Sequence, residues 1–258
     1  MPKNVRILSW NVNGLRSHAT KNFLPWLKEE SPEILCVQEV KATPLQMPPD
    51  FRYFPGYHID WNPAERPGYS GVATYSKEKP LSVKTGLGIK EFDVEGRVLQ
   101  SEYPEFTLFN IYFPNGQSSD ERLKFKLDFY DAALDTFLKL RKQKKRIVVC
   151  GDVNTAHQAI DLARPRENEK TSGFLPQERA WVDKFVKAGF IDTFRMFNSE
   201  PGQYSWWDVR TGARQRNIGW RIDYHFISSD LRENLQEAFI MPEITGSDHC
   251  PVGIILKF

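Results

Sequence analysis

Arg146-Ile147-Val148-Val149-Cys150-Gly151-Asp152-Val153-Asn154 reads as an apolar strand that runs straight into polar residues at its tip. Runs of the same kind, rich in Val, Ile, Leu and aromatic residues, recur at Val5–Trp10, Glu33–Glu39, Gly71–Tyr75, Phe106–Phe113, Arg221–Ile227 and Gly253–Lys257. Short apolar runs bounded by turn formers are strands, and several of these are apolar enough for burial on both faces. Asn11-Val12-Asn13-Gly14 echoes Gly151-Asp152-Val153-Asn154 at a strand tip, which either a duplicated sheet or chance explains.

Helical spacing is clearest after Ser118. Leu123, Leu127, Tyr130, Leu134 and Phe137 share a face there, and Ser118 with Glu121 forms a capping box. Helices are also expected from Asn22 to Glu30 and from Pro176 to Ala188, the latter ending at Gly189. They would cover the sheets from outside. Thr155 to Leu175 has no period but carries Arg164, Pro165, Arg166 and Lys170, which makes it a candidate ligand-facing loop. No linker or composition shift divides the chain. Residues 1–258 are therefore expected to form a single α/β domain with strands of both halves paired into layered sheets.

Hydrophobic residues make up 40% of the chain and charged residues 26%, which argues against disordered, collagenous and membrane-spanning classes. A net charge of +2 permits contact with a polyanion without requiring it. The opening Met1-Pro2-Lys3-Asn4 leads directly into an apolar run ending at Trp10, too short and wrongly flanked for a secretory signal. An intracellular protein, cytoplasmic or in the nucleoid, is expected. Cys36, Cys150 and Cys250 show no CxxC spacing and are expected to be small buried hydrophobes rather than zinc ligands or disulfides.

Asn11, Asn13, Glu39, Asp152, Asn154, Asp223 and Asp248 each fall at or near the end of an apolar run. Taken singly, each could be a turn residue, cap or ion-pair partner. A carboxylate in apolar surroundings costs several kcal/mol unless paired or metal-bound, so the repeated placement argues for one shared polar site. Oxygen ligands of this kind suit Mg2+, with Mn2+ as a substitute, whereas zinc would draw on cysteine or clustered histidine. Ser247-Asp248-His249 sets a carboxylate beside an imidazole. Asp223 would orient and charge that ring, leaving it to hold a phosphate oxygen. His18, His58, His157 and His225 lack such companions and are expected to be surface or structural residues.

Tyr204, Trp206, Trp207 and Trp220 surround Arg210, Arg214, Arg216 and Arg221. Rings interleaved with arginines can stack on sugars and bases while pairing with phosphates. Core filling is the competing reading, above all for Trp207.

Seven motifs follow in order: Ser9-Trp10-Asn11-Val12-Asn13-Gly14-Leu15-Arg16, Val37-Gln38-Glu39-Val40-Lys41, Gly68-Tyr69-Ser70-Gly71-Val72, Asn110-Ile111-Tyr112-Phe113-Pro114-Asn115, Gly151-Asp152-Val153-Asn154, Trp220-Arg221-Ile222-Asp223-Tyr224 and Ser247-Asp248-His249-Cys250-Pro251. Together they resemble the exonuclease III family of AP endonucleases, in the endonuclease/exonuclease/phosphatase superfamily, over essentially the whole chain. The resemblance implies a DNase I-like, four-layer α/β sandwich, with two packed mixed β-sheets flanked by helices. It also implies a Mg2+-dependent DNA repair hydrolase that cuts duplex DNA 5′ to an abasic site, leaving a 3′-OH and a 5′-deoxyribose phosphate, with some 3′-to-5′ exonuclease action.

On that analogy Glu39 binds the metal with Asp248 and Asn13, and Asp152 is the catalytic acid/base, positioned by Asn11 and Asn154. His249 held by Asp223, together with Tyr112 and Asn115, would bind the phosphate. Trp206, Trp220 and Ile222 match a pocket for a flipped sugar without its base. Arg210 falls where the family inserts a side chain into the duplex. Asn13 departs from members that carry aspartate there, which would loosen the metal by one charge. The partner implied is abasic double-stranded DNA, with no membrane, no obligate protein partner and a monomeric state. Related phosphodiesterases and phosphatases would share the acid–histidine core, so the aromatic pocket carries the choice of substrate. A catalytically dead DNA-binding module is the rival from another class.

Overall fold

A computed structural model describes residues 3–20 and 22–258, so Met1 and Pro2 of the opening segment lie outside the described residues. The strands are β1 (Asn4–Asn11), β2 (Ile34–Gln38), β3 (His58–Asn62), β4 (Val72–Ser76), β5 (Ser82–Thr85), β6 (Val98–Glu102) and β7 (Thr107–Tyr112). They continue with β8 (Ile147–Asp152), β9 (Phe190–Asp192), β10 (Trp206–Trp207), β11 (Gly219–Trp220), β12 (Asp223–Ser228), β13 (Leu235–Ile240) and β14 (Val252–Lys257). Helices α1 (Phe23–Glu30), α4 (Asp120–Lys142) and α5 (Pro176–Lys187) are accompanied by the short α2 (Pro49–Arg52), α3 (Lys90–Asp93) and α6 (Thr193–Phe197).

Two six-stranded mixed sheets result, in the orders β13-β14-β1-β2-β4-β3 and β5-β6-β7-β8-β12-β9, with β10 and β11 forming a separate ribbon. Each sheet holds one parallel pair, β1–β2 and β7–β8. Successive side chains on a strand point to opposite faces, and that alternation divides the core into layers. On β1, Leu8 and Trp10 pack outward with Phe23, Trp26 and Leu27 of α1, while Val5 and Ile7 face inward. On β8, Val148 and Cys150 meet that inner layer, while Ile147 and Val149 pack outward with Phe129, Tyr130 and Phe137 of α4 and Trp181 and Phe185 of α5. Helix, sheet, sheet and helix thus make the four-layer α/β sandwich. No helix among the described residues is long and apolar enough to cross a membrane.

The seven strand runs all fall on strands. Of the strands outside those runs, β3, β5 and β13 are edge strands with exposed, polar positions, so their sequences lack the apolar signal. The cap of α4 is Ser119, whose hydroxyl accepts from the Arg122 amide at 3.2 Å, one residue after the expected Ser118. The buried stripe of α4 is also shifted. It runs Lys126, Phe129, Tyr130, Ala133, Leu134 and Phe137, leaving Leu123 and Leu127 half-buried. The strand-tip echo pairs unlike positions, because β1–β2 corresponds in connection and direction to β7–β8. Asp152 at the tip of β8 is therefore the counterpart of Gln38 and Glu39, not of Asn11.

Gly151 lies inside β8 at φ +135°, and a Cβ there would meet the Ile111 carbonyl oxygen at 1.9 Å. Gly151→Ala must open the parallel β7–β8 pair, and a loss of more than about 3 kcal/mol is expected. A urea midpoint equal to that of the parent would show that the strands accommodate the methyl group.

Candidate active site

The inner layer turns polar where it reaches one edge of the sheets. Ser9, Gln38 and Asn110 lie on its inward faces, and Gln38 Nε2 donates to Ser9 Oγ at 3.0 Å and Asn110 Oδ1 at 2.8 Å. One alternation further toward the tips, the same faces carry Asn11, Tyr112, Asp152 and Asp223. Register brings these together: Asp152 sits beside Tyr112 on one side and Asp223 on the other. Asn11 is aligned with Gln38, the residue before Glu39. Asn11 Nδ2 then ties the two sheets, donating at 2.9 Å to both Glu39 Oε1 and Asp152 Oδ2.

Asp152 is buried and heavily supported. Its Oδ1 accepts from the Asn154 backbone amide at 2.8 Å, and its Oδ2 from Asn154 Nδ2 at 3.2 Å. Asn154 is in turn held by Asn115 Nδ2 at 3.0 Å. Burial, with Asp223 and Glu39 nearby, pushes the Asp152 carboxyl up to about 7 against the pull of His249. His249 Nδ1 contacts Asp223 Oδ2 at 2.8 Å, leaving Nε2 3.9 Å from Asp152 Oδ2. Burial alone would discharge that ring, but Asp223, with Asp152 and Asp248 adding to it, outweighs burial and raises the imidazole to about 10. Asp223 thus draws the ring toward its charged form, facing the buried carboxylate of Asp152.

Glu39, Asp152 and His249 lie close enough to hold an ion. Asp223 draws His249 toward its charged form, which disfavours it as a ligand and leaves the carboxylates as the better donors of that trio. Lys41 shows how the site suits positive charge: its ammonium lies 2.7 Å from Glu39 Oε2 and 2.5 Å from Asn13 Oδ1. Burial pushes the Glu39 carboxyl upward, but Lys41 and Asn11 hold it below the usual carboxylate range. Asn13 Nδ2 donates to Asp248 Oδ1 at 2.9 Å and Trp206 Nε1 to Asp248 Oδ2 at 3.0 Å. Glu39 and Asp248 thus line the cavity with Asn13 linked beside them, oxygen donors matching a hard cation in chemistry. Asn13, Glu39, Lys41 and Asn154 all have positive φ, between 46° and 55°. Such backbone in non-glycine residues is costly and clusters at functional sites.

A cavity of about 250 Å³ opens over these groups, with Glu39, Tyr112, Asn115, Asp152, Asn154 and His249 as its floor. Trp206, Trp220 and Ile222 form a wall, the two indoles meeting edge to face with centroids 6.3 Å apart. Arg210 lies instead in an adjoining groove with Tyr69, Arg97 and Arg122. Asn11, Asn13 and Asp223 act from behind or beside the cavity rather than lining it.

Other expectations are corrected. Arg164, Arg166 and Lys170 are exposed and do not line the cavity, whereas Thr171, Ser172 and Gly173 of the same loop do. Tyr204 and Trp207 are core residues. Arg221 is buried against Asp161 and Asp192, and Arg214 spans the Ser247, Pro242 and Ile244 carbonyls, so neither guanidinium is offered to a phosphate. Sequence assigns no role to Lys41 or Gln117, although Lys41 closes the family-like motif Val37-Gln38-Glu39-Val40-Lys41.

Residues 8–249 match the endonuclease/exonuclease/phosphatase family. An exodeoxyribonuclease of Bacillus subtilis (strain 168) is 44% identical, the match covering 98% of this chain and all of that protein. The DNA repair nuclease APEX1 of Danio rerio is 41% identical over 98% of this chain and 82% of its own length. An AP endonuclease structure from Archaeoglobus fulgidus superposes with a TM-score of 0.89 at 29% identity, covering 98% of this chain and 99% of that one. The two mixed sheets, their helical covers and the polar edge agree with that match, and the chain belongs to the endonuclease/exonuclease/phosphatase family.

Proposed function

We propose that the chain is a metal-dependent DNA repair endonuclease that hydrolyses the phosphodiester bond 5′ to an abasic site in duplex DNA, with some 3′-to-5′ exonuclease action. The single observation that carries this reading is the His249 ring, paired with Asp223 and held with Nε2 3.9 Å from the buried carboxylate of Asp152 beside a small cavity lined by two indoles. Relatives named as exodeoxyribonucleases, DNA repair nucleases and AP endonucleases support the substrate class.

Asp152 takes the proton from the attacking water, its oxygens fixed by Asn11 and Asn154. His249 Nε2, with Tyr112 and Asn115, holds the phosphate oxygens as charge builds on them. Mg2+, or Mn2+ in its place, held by Glu39 with Asp248 and Asn13, would neutralise the scissile phosphate and the departing 3′ oxygen. The cavity is smaller than the roughly 300–1,000 Å³ usual for ligand pockets, which suits a sugar that has lost its base. Arg210, in the neighbouring groove, would enter the duplex. One chain completes the site, so the reading needs no partner subunit, and the continuous inner layer supports one domain over residues 1–258.

The test incubates the protein with an end-labelled duplex carrying one abasic analogue, with Mg2+ or EDTA, beside an undamaged duplex. One metal-dependent cut immediately 5′ to the lesion is expected. Equal cutting of undamaged DNA would point to a general nuclease of the same fold. Glu39→Ala should abolish the cut and weaken Mn2+ binding followed by electron paramagnetic resonance; undiminished Mn2+ binding would remove Glu39 from the ligand set.

Trp220→Ala should lower the preference for abasic over intact DNA by roughly 10- to 100-fold, the range expected for stacking on one ring. Trp206→Ala removes a ring and also the donor to Asp248. It should therefore lose metal affinity as well as preference, a split that Mn2+ titration beside cleavage kinetics would resolve.

A further inference from the structure

Lys126 sits on the otherwise apolar buried stripe of α4, and its ammonium and the Glu178 carboxylate of α5 are both 0% exposed. Replacing such a pair with packed hydrophobic side chains is often neutral or stabilising, so stability alone does not account for it. Its contacts point elsewhere. Lys126 Nζ spends its three protons on Glu178 Oε1 at 2.5 Å, the Asn154 carbonyl at 2.7 Å and Thr155 Oγ1 at 2.9 Å. Glu178 Oε1 also accepts from Ser172 Oγ at 2.9 Å, and Oε2 accepts from the amides of Gly173 at 2.6 Å and Leu175 at 3.0 Å. One end of the pair thus grips the segment that supports Asp152, and the other grips the loop that lines the cavity.

Those two segments touch at Gly173. It lies at φ +100°, and a Cβ there would come within 3.2 Å of the Trp220 ring and 3.3 Å of the Asn154 carbonyl oxygen. The loop backbone therefore runs close to both the Trp220 ring and the Asn154 carbonyl, the Gly173 carbonyl accepts from the Ala156 amide at 2.8 Å, and Asn154 itself lies at φ 55° with its carbonyl held by Lys126. We propose that the buried Lys126–Glu178 ion pair is a positioning device that sets the distance between the pocket wall at Gly173 and Trp220 and the catalytic segment at Asn154, and thereby sets discrimination against intact nucleotides. The proposal rests on the abasic-site reading of the cavity.

The experiment compares Glu178→Ala, which removes both acceptors, with Glu178→Gln, which keeps an oxygen for the Gly173 amide. Cleavage of abasic and undamaged duplexes is measured well below each melting temperature, with circular dichroism as the check on folding. Glu178→Ala is expected to lower the abasic-to-intact ratio of kcat/KM by about 10²-fold, the scale of an ~1 Å misplacement. Most of the loss on abasic DNA should fall in kcat, and Glu178→Gln should recover part of the ratio. An unchanged ratio in folded Glu178→Ala overturns the proposal, since a purely structural pair would lower only the melting temperature. If Glu178→Ala does not fold, Gly173→Ala replaces it. Its methyl group pushes the wall apart with the ion pair intact, and an unchanged ratio there is equally fatal. Failure of the parent protein to prefer abasic DNA would instead overturn the functional reading.

Discussion

Asp152→Asn should lower the single-turnover rate of incision by roughly 10³-fold or more while leaving DNA and metal binding within a few-fold of the parent. An amide cannot accept the proton of water. The substitution also disturbs a fully used carboxylate: Oδ2 accepts from Asn11 and Asn154 side chains, and Oδ1 from the Asn154 amide. Either orientation of the new amide sets an NH2 against a donor, a cost of about 1–3 kcal/mol. Relief of repulsion from Glu39 and Asp223 offsets part of it, so the variant should remain folded. The raised carboxyl of Asp152 also predicts that the parent gains activity as pH rises toward about 7, where the base loses its proton. Near-normal single-turnover cleavage by Asp152→Asn would remove Asp152 from the chemistry.

Asp223→Asn should cost roughly 10²- to 10⁴-fold at pH 7.5, the scale known for losing the carboxylate that orients a catalytic histidine. Asp223 Oδ2 contacts His249 Nδ1 and accepts from Ser205 Oγ at 2.6 Å. Without the anion, burial would discharge the ring. The parent should keep its imidazolium, and its activity, until pH approaches about 10, whereas the variant, left with only the more distant Asp152 and Asp248, should lose both at lower pH than the parent. The linkage to stability has a definite sign. A histidine raised in the folded state contributes stability that is fully present below its unfolded value of about 6.5 and is lost as pH rises through about 10. Melting temperatures of parent and variant should therefore converge toward pH 10. A difference that stays constant from pH 6 to 10 would show that the ion pair is not the cause.

Much of the site was legible because its residues fall at strand ends. Glu39, Asp152, Asp223 and His249 lie beside apolar runs, and strands buried on both faces deliver their tips to a common edge. Gln117 was not legible as a site residue, and Lys41 and Thr171–Gly173 were legible only as members of a motif and of a candidate ligand-facing loop, since each is an ordinary loop residue by composition. Arg221 and Arg214 misled for the opposite reason. They stand among aromatics as phosphate-binding arginines would, yet Arg221 is consumed by Asp161 and Asp192, and Arg214 by backbone carbonyls. Lys126 was invisible because a lysine on a helix is normally solvated, and its burial depends on Glu178, 52 residues later.

Residue order alone was enough for the strand runs, the main helices, the polar strand tips and the family resemblance, because these depend on local periodicity and on motifs a few residues long. Tertiary structure alone decided which face of each strand meets the other sheet, which arginines remain free, and how Asn11 bridges Glu39 and Asp152 across 141 positions. Those outcomes follow from sheet register and interlayer packing, which join residues far apart in the chain and leave no mark on the sequence around any one of them.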